Sequence, residues 1–192
     1  MFCHVTSRIE GEPYPKLLRQ KGGTGFPTLA FLDADGDLLV KYSGARDVDG
    51  FSATGEKVRA YLELATHAQQ GEQGADLDLF VAGITLGKFK LANARTKARA
   101  FQDLSAEQTK RLQGALLNLE LIEGYRASYR DKEAAVRLGA QWFAMAKDDR
   151  LPTDPVAERY FWTLIERYGV SQGDIKAKRM AKAALKKASR RK

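Results

Sequence analysis

Gly25-Phe26-Pro27-Thr28, running into the apolar Leu29-Ala30-Phe31-Leu32 and then Asp33-Ala34-Asp35-Gly36, is the stretch on which the fold assignment turns. Leu29 to Leu32 is too short and too evenly apolar for an amphipathic helix, so it reads as a buried strand. Gly36 supplies the positive φ that a tight turn needs, which predicts a hairpin into a second strand over residues 37–43. Pro27 sits where a strand begins, a position that tolerates the loss of an N–H.

Working outward, residues 2–9 have strand composition. Residues 12–21 predict a short helix with Leu17 and Leu18 inward, ended by Gly22-Gly23. Beyond the hairpin, Phe51, Val58, Tyr61, Leu62 and Leu64 recur at helical spacing over residues 48–65. The order strand, helix, proline turn, hairpin, helix resembles the C-terminal two-thirds of a thioredoxin fold over about residues 2–68. In that resemblance Gly25-Phe26-Pro27-Thr28 matches the family's cis-proline loop, and Gly44 the glycine after its last strand. The fold expected on these grounds is α/β: a truncated thioredoxin-like sheet with flanking helices, followed by an all-α bundle of helical hairpins.

The resemblance is incomplete in its chemistry. The reactive Cys-x-x-Cys of that family lies further upstream of the proline loop than this sequence extends. The lone cysteine, Cys3, falls on the expected first strand, not at a helix N-terminus where the dipole would lower its pKa. One thiol cannot cycle between dithiol and disulfide within a chain. Cys3 is therefore read as a small buried hydrophobe or a free thiol.

At 192 residues with 44% hydrophobic side chains, the chain is long enough for a substantial core. A single cysteine excludes an intrachain disulfide. No run approaches the ~18 apolar residues of a membrane span, and Met1 is not followed by a leader-like segment. The expected location is cytoplasmic for the chain as written, and secreted or periplasmic if a leader precedes Met1.

The net charge of +8 is carried entirely by residues 174–192, which hold nine basic side chains against Asp174 alone; residues 1–173 are neutral, with 23 of each sign. The basic excess thus describes a terminal segment, not a domain face. Its members are Lys176, Lys178, Arg179, Lys182, Lys186, Lys187, Arg190, Arg191 and Lys192. With only Ile175, Met180, Leu185 and alanines as apolar anchors, it reads as a solvated helix whose removal leaves the rest of the fold untouched.

Between these ends, Gln69-Gln70-Gly71-Glu72-Gln73-Gly74 reads as a linker, giving domains over residues 1–68 and 77–173, a linker over 69–76 and a tail over 174–192. The middle is helical. Leu77, Phe80, Val81 and Ile84 form one stripe; Ser105-Ala106-Glu107-Gln108 fits a capping box before Leu112, Leu116, Leu119, Ile122 and Tyr125. Val136, Leu138, Trp142, Phe143 and Met145 suggest another helix. Thr153-Asp154-Pro155 starts a further one, which Gly169 is expected to stop. Trp162, beside Phe161 on a different face, is expected at the surface.

Asp33, Asp35 and Asp37 alternate around Gly36 without the spacing of a calcium loop, and His4 and His67 lack partners at ligand spacing, so no metal or cofactor is expected. What the resemblance implies is a peptide-binding loop at Phe26, Pro27 and Thr28, pairing with an extended strand. The function expected is a redox-inactive, non-catalytic adaptor that binds a protein or peptide partner. The alternative is part of a thiol-disulfide oxidoreductase whose dithiol lies upstream of Met1. Recruitment of nucleic acid or an anionic surface by the tail is a third reading.

Overall fold

A computed structural model of the chain describes residues 16–23, 25, 27–42 and 47–190. In order they form α1 (Leu17–Gln20), β1 (Ala30–Leu32), β2 (Leu38–Lys41), α2 (Val48–Gln69), α3 (Ala75–Thr85), α4 (Leu91–Ala98), α5 (Ala106–Ser128), α6 (Lys132–Lys147), α7 (Pro155–Ser171) and α8 (Ile175–Ser189). The expected α/β fold with a thioredoxin-like sheet is not what forms. Among the described residues the molecule is mainly helical, with one two-stranded antiparallel sheet.

The hairpin itself follows local rules. Phe31 pairs with Val40 and Ala30 with Lys41, with an irregularity in register before Leu32. Gly36 takes φ +81°, and the Asp33 carboxylate accepts from the Asp37 N–H at 2.7 Å and the Asp35 N–H at 3.1 Å. Asp33 thus organises a turn, as short polar side chains do. The apolar run 29–32 is not doubly covered, however, since Ala30 and Leu32 are exposed and only the Phe31 side is packed. The expected first strand, residues 2–9, and Gly44 lie outside the described residues.

The chain divides into two compact units, residues 1–88 and 89–192. In the first, Leu39, Val58 and Leu86 are buried together, with Phe31, Val40 and Tyr61 packed around them. Tyr42 stacks on Phe51 of α2 at 4.3 Å between ring centroids. The segment read as a linker holds the turn from α2 to α3. Gly71 and Gly74 take φ +73° and +83° there, which folds α3 back onto α2; Leu77, Phe80 and Ile84 of α3 are buried.

The second unit is built around α7, which packs on α5, α6 and α8. Phe161, Leu164 and Ile165 are fully buried among Leu121, Trp142 and Phe143. Trp162 is also buried, at 7% exposure, contrary to its expected surface position: a helix covered by three others has few open faces. Start signals read from the sequence are realised locally. Ser105 and Gln108 make both bonds of the capping box, and Asp154 caps α7 with Pro155 in its first turn. Gly169 does not stop α7, which runs two residues further to Ser171.

Candidate functional site

The charged C-terminal segment is not a solvated appendage. Asp174 caps α8 by accepting from the Ala177 N–H at 2.9 Å. Gly169 lets the first turn of α8 approach α7 closely: a Cβ at that position would lie 2.6 Å from the Lys178 nitrogen and 3.0 Å from the Asp174 carbonyl oxygen. Ala177 and Ala181 are fully buried, and Met180, Ala184 and Leu185 pack against the core of the second unit. These positions recur every three or four residues, so they share one face of the helix.

The opposite face is cationic. Lys176, Lys178, Arg179, Lys182, Lys186, Lys187 and Arg190 are all exposed, and α8 contains no acidic residue. From residue 176 to 190 the stripe spans about 21 Å at ~1.5 Å rise per residue. Among the described residues none of these cations forms an ion pair, unlike Lys21 with Asp37 and Arg95 with Glu120. Like charges at i and i+4, in Lys178/Lys182, Lys182/Lys186 and Lys186/Arg190, each destabilise the helix by about 0.2–0.5 kcal/mol. The C-terminal dipole offsets part of this at Lys186 and Lys187.

The other sequence-derived candidates are not assembled into a site by the described residues. Pro27 is exposed and Thr28 half-buried, its hydroxyl donating to the Gly25 carbonyl at 2.6 Å. Phe26, Cys3, His4, Arg191 and Lys192 lie outside the described residues. Among those described, no group of His, Cys, Asp and Glu side chains is placed to hold a metal ion, and no helix is long and apolar enough to cross a membrane. A shallow groove lined by Val136, Arg137, Ala140 and Tyr168 includes Ser171, whose hydroxyl accepts from Gln172 at 3.4 Å.

An aromatic pair in the second unit has no signature in the sequence. Tyr125 of α5 and Tyr160 of α7 stack face to face at 4.0 Å, with Arg167 over the first ring and Arg159 over the second. The rings and guanidiniums there engage one another, so this assembly joins two helices. Its two tyrosines are far apart in the chain, and no local pattern announces the pairing. The inner face of α8 was legible in principle, from the alanines at 177, 181, 184 and 188. The chain matches no protein-family model, no curated protein and no solved structure.

Proposed function

We propose that the chain is a non-catalytic adaptor that holds an anionic partner on the outer face of α8. The observation that carries this reading is the division of one helix into two faces: Ala177 and Ala181 are fully buried, while seven cations stand exposed without an acidic residue among them. A segment that only kept the protein soluble would need no anchoring in the core. Here the anchoring fixes the helix face that carries the cations, so a partner meets their backbone positions already arrayed. The oxidoreductase alternative rested on a thioredoxin-like sheet, and the described residues do not form one.

The test replaces Arg179, Lys182, Lys186 and Arg190 by Gln in the full chain and measures retention on heparin resin. A control variant carries Gln at Lys57, Arg59, Arg99 and Lys110, all of them exposed and none on α8. Both variants lose the same net charge. The α8 variant is expected to elute at much lower salt than the control, with both retaining the helical circular dichroism of the parent. Equal elution of the two would overturn the reading, because retention would then follow net charge and not the α8 face.

A further inference from the structure

Resting on the reading above, we infer that the partner held by α8 is a nucleic acid, gripped through its phosphodiester backbone without reading of the bases. Three features of the helix separate this partner from an acidic protein or an anionic membrane.

The first is what lies between the cations. Protein interfaces concentrate their binding energy in aromatic and apolar anchors that fill pockets, with charges at the rim. The outer face of α8 has no aromatic residue, and the uncharged positions beside its cations are Ala183 and Ser189, with Ile175 at one end. It is a rim without a centre. A phosphate backbone needs no such centre, because cations alone supply its sequence-independent affinity.

The second is where the apolar face points. A helix that lies in a membrane interface buries its apolar side among the acyl chains. In α8 that side is already committed: Ala177 and Ala181 are fully buried, and Met180 and Leu185 pack on the core. Nothing comparable is left on this helix for a bilayer.

The third is length and chemistry. Duplex DNA carries one negative charge per ~1.7 Å of axis with both strands counted, so a stripe of about 21 Å lies along a length carrying on the order of a dozen phosphates, of which about half a dozen lie on the side it meets, comparable to its seven cations. The face has no Asn or Gln to read adenine, and five of its seven cations are lysines, which bind phosphate as point charges. Its two arginines, Arg179 and Arg190, lie ~16 Å apart along the axis, too far to read neighbouring bases together. Contacts of this kind position a partner and do not specify a sequence.

The experiment titrates the full chain into labelled duplexes of about 24 base pairs and two unrelated sequences, and into the corresponding RNA duplex, by fluorescence anisotropy over a range of salt. Parallel arms use polyglutamate and vesicles rich in anionic lipid. The expected result is duplex binding whose log affinity falls linearly with log salt, with a slope of roughly −4 to −6 for about four to seven neutralised phosphates. The two DNA sequences should agree within about threefold. Replacing Arg179, Lys182, Lys186 and Arg190 by Gln should reduce the slope by roughly 3 to 4, whereas Lys→Arg exchange at 182 and 186 should retain it. Circular dichroism melting shows that each variant is folded.

If polyglutamate or vesicles bind through these cations while the duplexes do not, the inference fails and the adaptor reading stands. If none of the three is held through α8, both fail. Duplex binding that persists with an unchanged slope in the four-residue variant also overturns the inference, since the contacts would then lie elsewhere.

Discussion

Gly139 and Gly169 set how closely the helices of the second unit approach. A Cβ on Gly139 would collide with the Leu164 carbonyl oxygen and lie 2.7 Å from the Tyr168 Cβ. Neither atom is the free end of a flexible side chain, so the helices must move apart. Gly139→Ala is expected to cost about 1–3 kcal/mol in urea unfolding, even though alanine favours helix intrinsically. An unchanged or higher midpoint would show that the crossing is looser than described. Gly169 was expected to stop a helix and instead packs inside one: glycine serves both uses, and only its neighbours in space distinguish them. A second residue-scale expectation concerns His67. Its pKa is raised, chiefly by the 2.7 Å hydrogen bond to Glu72 and then by the charges of Glu72 and Glu63, against a lowering by desolvation. A raised imidazole pKa stabilises the fold fully below the ordinary value of about 6.5, and that contribution is lost as pH rises through the folded value. Glu72→Gln should therefore lower the His67 pKa in an NMR titration; no change would mean that the pair does not form in solution.

At the scale of single elements, α8 carries the clearest consequence. Its apolar side chains are few and small, which makes it look dispensable in the sequence, yet its alanines face a core that larger residues complete. Ending the chain at Asp174 would remove the buried Ala177 and Ala181 and the half-buried Met180 and Leu185, the latter two each worth roughly half of the ~1.5–3 kcal/mol of full burial, and strip cover from α7. A fall in melting temperature of about 10 °C or more is expected. A shift of a degree or two would restore the picture of a solvated tail. Because the like charges along α8 repel, raising salt from low to moderate concentration should raise the melting temperature by screening them. Elements marked by local chemistry were the legible ones: the Ser105 capping box, the Asp154-Pro155 start and the Asp33 turn all act within a few residues. By contrast α4 has no side-chain cap at Lys90 and buries only Ala94, so it offered little to read.

Across the whole molecule, the order of local elements was a poor guide to how they associate. A strand, a helix and a hairpin in sequence are compatible with several sheets, and strand pairing over long separations leaves no local trace. The same holds for the glycines at 71 and 74, which punctuate a turn between packed helices. Since the core around α7 and the caps of α5 to α8 come from within residues 89–192, that segment expressed alone should melt cooperatively with a helical spectrum. A broad, non-cooperative melt would show that it depends on the first unit. The electrical asymmetry of the chain has a colloidal counterpart. With residues 1–173 neutral, mutual repulsion between molecules originates in the basic C-terminal segment alone. Proteins near zero net charge tend to associate. Covering α8 with a polyanion would therefore discharge the particle, and a solution titrated to charge balance should turn cloudy, then clear again as excess polyanion recharges it.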